Sequence, residues 1–473
     1  MMTQAAAPGP VTTVAPMASE ALLAPAYRAR FLLLMFLVAT FNFADRAVFN
    51  VVAQTVKRDL VLTDGQLGIL QGLAFAILYS VLGMPIGWLS ERKNRLRIVT
   101  VCLAFWSLTT ALCGAAGNFW QLLAARVGVG VGEAGFMSPT SSLTSDHFPR
   151  ERRASAMSLV MLGSPIGFFL GAVAGGAIAQ QYGWRVAFAV VGLPGLLIAL
   201  LIPLLLREPS RGLVDGVPPT VEPAPPFSAV FATIARKPAL IFVLIGGTLG
   251  QFGLTSISSF MVPFFVRSYH LPGNKAATLF GVVSAVSLGI GLMVGSFGSD
   301  RAGRSDLRWA AWGPMIGLAC ATPLYQFAFR QADVVGAVAF LLIGGAALLC
   351  YYGPTLAMLQ NMVGPRMRAS IAAIYGVMYS LIGLGLGPTF TGFASDRFAK
   401  AAFKLGDFAA LCPGGGAPRG AADVLVQACG QASAIGLQRA LATTTLIFVV
   451  AAVFYGLASR SYAQDIHQTP PAA

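Results

Sequence analysis

Four charged side chains interrupt long apolar stretches of the sequence. Asp45 and Arg46 lie in the first stretch, and Arg126 and Glu133 lie in the fourth. A charge at the centre of a bilayer costs at least about 2.5–3.5 kcal/mol, so such residues are rare without a function. Because a carboxylate whose guanidinium partner moves can gain or lose a proton, we predict that Asp45 and Glu133 exchange protons. We predict that Arg126 and Arg46 bind an anionic headgroup.

Helix geometry predicts that Arg126 and Asp45 lie at comparable depths, with Glu133 about 10 Å deeper than Arg126. At 1.5 Å per residue, Arg126 lies about 12 Å from the predicted start of its helix, and Asp45 lies about 16 Å from the predicted end of its own. Glu133 follows Arg126 by two turns and shares its face. Asp45 and Arg46 point about 100° apart, so one can face a cavity while the other faces the fourth helix. The alternative is a fixed ion pair that only stabilises packing.

The composition indicates that the helices carrying these charges are embedded in lipid. The chain has 473 residues, 56% hydrophobic and 11% charged, whereas soluble proteins carry about 25% charged residues. A membrane helix needs about 20 mostly apolar residues. Twelve such runs lie near residues 28–56, 65–90, 96–116, 118–145, 152–180, 184–206, 238–268, 275–299, 307–329, 332–360, 367–396 and 433–459. The sequence therefore predicts an all-α polytopic membrane protein with twelve transmembrane helices.

We attribute the net charge of +14 to Lys and Arg retained on the cytoplasmic side of the membrane, and not to a nucleic-acid partner. Lys and Arg concentrate in alternate short loops, which places both termini in the cytoplasm, and a bacterial inner membrane is the expected location. The predicted divisions are a disordered tail at 1–27, a six-helix half at 28–206, a cytoplasmic linker at 207–237, a six-helix half at 238–459 with an external loop at 398–432, and a tail at 460–473.

Cysteine and histidine provide little for catalysis. The three His residues fall in predicted loops or the tail, and no Cys or His spacing fits a metal, so we expect no metal, no cofactor and no enzyme activity. Cys412 and Cys429 share the predicted external loop, where a disulfide could form; two free thiols are the alternative.

An internal repeat divides the chain into two halves. Gly87-x-Leu-Ser-Glu91-Arg92-x-x-Arg95 follows the second predicted helix, and Asp300-Arg301-Ala-Gly303-Arg304 follows the eighth. Two halves in the same helix order indicate parallel repeats. Alternating access between two rocking halves requires such a repeat, whereas a channel does not.

These residues resemble the loop motif of the major facilitator superfamily, although Glu91 replaces Asp and Asn94 replaces Gly. The resemblance implies two pseudo-symmetric six-helix halves and a cytoplasmic gate, in which Glu91 and Asp300 pair with Arg side chains or cap helices. The predicted gate residues are Gly87, Glu91, Arg92, Arg95, Asp300, Arg301, Gly303 and Arg304.

Two further segments resemble the Spinster group of that superfamily, whose animal members export sphingosine phosphate and lysophospholipids. They are Asn42-Phe-Ala-Asp45-Arg46 and Arg126-Val-Gly-Val-Gly-Val-Gly-Glu133. The resemblance implies a monomeric, proton-coupled transporter of an amphipathic anion. A multidrug exporter and a small organic-anion transporter are the alternatives. Candidate cavity residues in the second half are Tyr351, Tyr375, Ser256 and Ser259.

Overall fold

The computed structural model describes residues 22–214, 227–364 and 367–466, without the side chains of residues 150, 151, 154, 227, 300 and 369. The helices of the first half are α1 Pro25–Asp59, α2 Asp64–Gln71, α3 Leu73–Arg92, α4 Arg95–Cys113, α5 Phe119–Glu133, α6 Met137–His147, α7 Arg150–Met161, α8 Gly163–Tyr182 and α9 Trp184–Leu205. Then follow α10 Phe227–Arg236, α11 Pro238–Tyr269, α12 Gly273–Gly303, α13 Trp309–Ala328, α14 Val334–Leu349, α15 Tyr352–Asn361, α16 Arg368–Met378, a π-helical segment Tyr379–Leu386, α17 Gly387–Ala402, α18 Phe408–Leu411, a 3₁₀ turn Pro413–Gly415 and α19 Asp423–Asp465.

The helices combine into twelve crossings, as the sequence predicts. Five crossings are broken: α2 with α3, α5 with α6, α7 with α8, α14 with α15, and α16 with the π-helical segment and α17. Ten helices of the described residues are long and apolar enough to cross a membrane. The fourth and ninth crossings are the exceptions, because the fourth is interrupted after Glu133 and the ninth has too low a mean hydropathy over 18 residues. We call the side with Pro25 and Asp465 the terminal face, and the side with Asp59 and Asp423 the opposite face.

A stripe of glycines on α8 fixes the position of α1. Gly163, Gly167, Gly171 and Gly175 recur every four residues and lie directly against the α1 backbone and side chains. A Cβ at Gly167 would lie 2.0 Å from the carbonyl oxygen of Thr40. Such close approach is possible only without side chains. The stripe therefore sets the depth and rotation of the α1 segment that carries the first two charges.

Helix boundaries extend beyond the predicted bilayer segments. Helix α1 begins at Pro25, inside the predicted tail, and α10 lies inside the predicted linker. Helices α17 and α19 take up both ends of the predicted loop 398–432, and α19 continues to Asp465. Hydropathy detects only the lipid-embedded part of a helix, which explains these differences. The predicted tail residues 1–21 and 467–473 and the linker residues 215–226 lie outside the described residues.

The loop between α17 and α19 is held by a disulfide. Cys412 and Cys429 are bonded, with their Cα atoms 5.7 Å apart. Phe403 and Phe408 pack against the bonded pair in a small apolar cluster. Gly415 of this loop lies against Lys57 of α1, and Gly414 lies against Val61, two residues beyond α1, at the opposite face. The loop therefore covers the junction of the two halves there.

Candidate functional site

A cavity of about 280 Å³ lies between the two halves. Its lining includes charged and amide side chains, together with aromatic rings from both halves. The residues that matter for its chemistry are Arg46, Asn50, Gln71, Phe75, Arg126, Gln251, Ser259, Phe280 and Tyr379. Both charged side chains therefore come from the first half, whereas the second half contributes hydroxyl and amide groups among apolar side chains.

Arg126 is a buried cation that faces this cavity. Its Nε donates to the carbonyl oxygen of Leu70 at 3.3 Å, and its guanidinium lies over the rings of Phe49 and Phe75, 4.5 and 5.8 Å from their centroids. Its buried Nη1 has no hydrogen-bond partner among the described residues. A buried guanidinium nitrogen without an acceptor costs free energy. An anion entering the cavity would satisfy this donor and gain a charge-assisted hydrogen bond.

Arg46 also lines the cavity, but its guanidinium is already paired with the carboxylate of Glu133. Its Nη2 lies 2.5 Å and its Nε 2.8 Å from Oε2 of Glu133, whose side chain is fully buried. The guanidinium lies 4.6 Å from the Phe75 ring centroid. The second oxygen of Glu133 has no hydrogen-bond partner among the described residues. The pair joins the first and fourth crossings beside the cavity.

Asp45 points away from the cavity, toward α4. The hydroxyl of Thr110 donates to one of its oxygens, and its other oxygen has no hydrogen-bond partner within the described part of the chain. Asp45 is nevertheless within electrostatic range of Glu133 and Arg126. The two neighbouring side chains point about 100° apart on α1. Arg46 faces the cavity and the fourth crossing, and Asp45 faces the third crossing.

The second half contributes differently from the sequence prediction. Ser259 lines the cavity, and its carbonyl oxygen accepts from Nε2 of Gln71 at 2.9 Å. Ser256, Tyr351 and Tyr375 are buried within the second half and do not line the cavity, so that prediction is wrong for them in this conformation. The Ser256 hydroxyl donates to the carbonyl of the residue four positions earlier, and the Tyr351 hydroxyl donates to the amide oxygen of Gln251.

A buried ionic cluster joins the two halves at the opposite face. The carboxylate of Asp64 binds Lys57 Nζ at 2.6 Å and both terminal nitrogens of Arg267 at 2.7 Å. Ser395 donates to the same carboxylate at 2.7 Å. Asp64 and Lys57 belong to the first half, whereas Arg267 and Ser395 belong to the second. Hydropathy did not single out these residues because they lie at helix ends.

A second carboxylate also links the two halves at the opposite face. Asp396 of α17 accepts from the backbone N–H groups of Asp64 and Gly65, at 3.0 and 2.7 Å, at the N-terminus of α2. A carboxylate at this position satisfies otherwise unpaired donors and interacts favourably with the helix dipole. Nine hydrogen bonds of the described residues join the two halves at the cavity or between it and the opposite face. The cavity is therefore closed toward the opposite face.

At the terminal face, Arg95 of the first-half loop motif is engaged within its own half. Arg95 is buried and binds Asp146, the Glu208 carboxylate at 2.7 Å and the Ser142 hydroxyl at 2.9 Å. The other oxygen of Glu208 accepts from the backbone N–H of Leu96 and caps α4. The start of the linker is thereby fixed to the first half.

The remaining predicted gate residues make few contacts. Arg92 stacks on Trp88, 4.0 Å from its ring centroid, and a Cβ at Gly87 would meet the Ser138 hydroxyl at 3.4 Å. The side chains of Glu91, Arg301 and Arg304 are exposed. Gly303 ends α12, and the side chain of Asp300 lies outside what the structure describes.

No cluster of three or more His, Cys, Asp or Glu that could hold a metal occurs in the described residues.

A twelve-crossing helical fold with a central, partly charged cavity between two halves defines a membrane transporter. The family model described as Major Facilitator Superfamily matches residues 35–388. The chain belongs to the Major Facilitator Superfamily and is an integral membrane protein. Within it, the similarity to Spinster proteins, which the sequence motifs indicated, is confirmed.

One solved structure is similar over almost the whole chain. It is a crystal structure of a bacterial homolog of the human lysosomal transporter Spinster in an inward-facing and unoccupied conformation. The two chains are 33% identical with a TM-score of 0.88, over 95% of this chain and 100% of the other.

Three relatives carry functional names. An "MFS-type efflux pump" of Mycolicibacterium smegmatis (strain ATCC 700084 / mc(2)155) is 27% identical over 91% of this chain and 92% of the relative. "Protein spinster homolog 1" of Rattus norvegicus is 28% identical over 76% of this chain and 71% of the relative. "Sphingosine-1-phosphate transporter SPNS2" of Danio rerio is 25% identical over 76% of this chain and 74% of the relative.

Proposed function

We propose that this protein is a proton-coupled secondary transporter that moves an amphipathic, lipid-like anion by alternating access. The observation that carries the proposal is Arg126, a buried guanidinium that faces the central cavity with an unpaired Nη1 among the described residues. Its position beside the apolar wall suits a ligand with a phosphate or carboxylate at one end and a hydrocarbon chain at the other. The name of the relative from Danio rerio, a sphingosine-1-phosphate transporter, is consistent with such a ligand.

The hydrocarbon part of the substrate would lie between α8 and α12. Phe168 of α8 and Phe280 of α12 line the cavity, with their ring centroids 5.4 Å apart. Phe169 of α8 lines the cavity too, is 39% exposed, and lies beside Gly281 of α12. An apolar chain longer than the cavity can therefore extend along this seam toward lipid.

Glu133 and the substrate would compete for Arg46. In the present arrangement the Glu133 carboxylate neutralises Arg46, which leaves Arg126 to attract the anion. Protonation of Glu133 would release Arg46 to the substrate anion, so proton binding and anion binding would favour each other in this conformation. Asp45, with one oxygen unpaired among the described residues, is the second proton carrier. Whether protons move with the substrate or against it depends on the other conformation.

The terminal face is proposed to be cytoplasmic, in a bacterial plasma membrane. The excess of Lys and Arg in the loops on that side and the similarity to an inward-facing structure support this orientation. When the halves rock, Glu91 and Asp300 would close the terminal face while the Asp64 cluster opens the opposite one. The protein would act as a monomer.

A multidrug exporter is the second candidate, because the relative from Mycolicibacterium smegmatis is named an efflux pump and is similar over nine-tenths of both chains. A transporter of small organic anions is the third. The exporter would tolerate cationic drugs, whereas two Arg side chains at the cavity disfavour them.

Purified protein reconstituted in liposomes tests these possibilities. Sphingoid phosphates, lysophospholipids, cationic drugs and short-chain acids are assayed for binding and transport at two pH values. We expect saturable binding of the lipid anions, lost in Arg126→Ala and partly kept in Arg126→Lys. Arg97→Ala, which removes an exposed Arg from the terminal face, is the matched control and should bind normally. Transport of only short-chain acids, or of only drugs, would refute the lipid substrate.

A further inference from the structure

A second, larger pocket lies on the outer side of the second half. It is an open groove of about 650 Å³ near the opposite face, formed by α13, α17 and α19. Pro323, Phe327, Phe398 and Leu446 supply apolar walls. Phe327 and Leu446 are each 54% exposed, so the groove faces the lipid and not the central cavity. Its volume falls in the range of small-molecule sites.

Two guanidinium groups flank this groove. Arg330 follows the end of α13 and Arg439 lies on α19, both exposed. Within the described part of the chain, the Arg439 side chain has no ion-pair or hydrogen-bond partner. Arg330 makes one long hydrogen bond, 3.4 Å, to Gln326. The nearby Asp333 carboxylate caps α14 instead, where it accepts from the Gly336 N–H at 2.6 Å.

The polar lining of the groove is held in place by hydrogen bonds between its helices. Nε2 of Gln326 donates to the carbonyl oxygen of Ala442 at 2.6 Å and to the Thr445 hydroxyl at 2.9 Å, which ties α13 to α19. This leaves the Gln326 oxygen directed toward Arg330. The two helices are thus fixed beside each other directly below the guanidinium groups.

The depth of the groove matches the upper part of a lipid. Leu446 lies seven residues from Arg439 along α19, about 10 Å deeper at 1.5 Å per residue. Pro323 lies five residues before Ala328, the last residue of α13, which places it about 8 Å deeper than that end of the helix. Cations therefore sit at the level of lipid headgroups, with an apolar slot extending from them into the hydrocarbon layer.

The charges are also on the side where Lys and Arg are disfavoured. In the proposed topology the opposite face is external, and short external loops of membrane proteins are depleted of basic residues. The transport site does not use Arg330 or Arg439, which lie on the lipid-facing side of the second half.

We propose that this groove binds an anionic phospholipid of the adjacent leaflet, with Arg330 and Arg439 holding its phosphate and the slot between α13 and α19 holding an acyl chain. Each basic residue near a membrane surface contributes measurably to anionic lipid binding. The bound lipid would brace α13, α17 and α19 on the side of the disulfide-bonded loop.

Native mass spectrometry of the detergent-purified protein tests the proposal. The protein is titrated with phosphatidylglycerol or phosphatidylcholine of identical acyl chains. We expect preferential retention of phosphatidylglycerol and roughly thirtyfold weaker binding in the double variant Arg330→Gln/Arg439→Gln. The control Lys404→Gln/Arg419→Gln removes two exposed cations near the same face but outside the groove, and should bind as the wild type does.

Further variants test whether the groove itself holds the lipid. Thr443→Trp fills the slot without changing charge and should also weaken binding. Arg126→Ala should keep the groove lipid, because that residue lies in the central cavity. Equal binding of both lipids, equal loss in the Lys404/Arg419 control, or loss in Arg126→Ala would overturn the proposal. Full competition by inorganic phosphate would indicate a simple phosphate site. Conversion of a wild-type dimer to a monomer in the Arg330→Gln/Arg439→Gln variant would indicate a subunit interface. Either result would also overturn the lipid-binding proposal.

Discussion

Breaking the cross-half ion pair at the opposite face should open that face. We consider Arg267→Met, which removes both 2.7 Å contacts to Asp64 but keeps an apolar side chain of comparable length. Asp64 retains Lys57 and Ser395, so its carboxylate is not left unpaired. The substitution therefore weakens the contact between halves while the contacts within the first half remain.

The expected magnitude follows from burial. The side chains of Arg267 and Asp64 are 4% and 2% exposed, and breaking a buried pair costs about 3–5 kcal/mol. Since Asp64 keeps other partners, we take the lower end, about 3 kcal/mol. This corresponds to a shift of roughly 150-fold in the ratio of closed to open conformations. A population that is about 99% closed would become mostly open.

Double electron–electron resonance in lipid nanodiscs measures this shift. Spin labels are introduced as unnatural amino acids at Tyr182 and Val335, which are exposed on opposite halves at the opposite face. Arg267→Met should move the distance distribution to longer values. The matched control is Arg185→Met, which breaks a 2.5 Å pair with Asp59 inside the first half. Because both of those side chains are about half exposed, its effect should be at most about 1 kcal/mol.

An unchanged distribution in Arg267→Met would refute the reasoning. So would equal lengthening in the control, because it would show that any loss of charge at this face has the same effect.

Three further outcomes are expected. Asp45→Asn and Glu133→Gln should each bind substrate yet lose acceleration by a pH gradient in liposomes; gradient-driven transport at wild-type rates in both would make the charges structural. Glu133→Gln should in addition bind substrate more tightly at neutral pH in an equilibrium binding assay, because Arg46 no longer has an anionic partner; weaker binding would contradict the competition. Glu91→Ala or Asp300→Ala should favour opening of the terminal face and slow turnover, which labels across that face would detect; unchanged populations would exclude the latch.

The sequence was sufficient to predict the helical membrane fold and to single out the central charges. Long apolar runs have few physical causes besides burial in lipid, and a charge inside one is conspicuous because it is costly. The sequence did not predict which partner each charge takes. Asp45 and Arg46 are adjacent, and their directions depend on the rotation of α1, which its packing against α8 fixes.

The sequence does not identify the buried ionic cluster or the buried tyrosines, because each of these residues is ordinary at its position in the sequence. Lys57, Asp64 and Arg267 lie at helix ends, where charges are ordinary, so only the folded structure shows that they form one buried cluster. Tyr351 and Tyr375 were expected to line the cavity because polar aromatic residues within a bundle suit a binding site. The structure instead buries them against their own half, a distinction that residue type alone does not make.

The glycine stripe between α1 and α8 has a consequence for genetics. At Gly171 a methyl group would meet the carbonyl oxygen of Ala44 at 2.4 Å, and at Gly163 it would meet that of Phe36 at 2.6 Å. Backbone atoms cannot yield as a side chain can, so even alanine would push the two helices apart and turn Arg46 away from its partner. A saturation mutagenesis screen for loss of transport would therefore identify these glycines as well as Arg126, although the glycines do not contact the substrate.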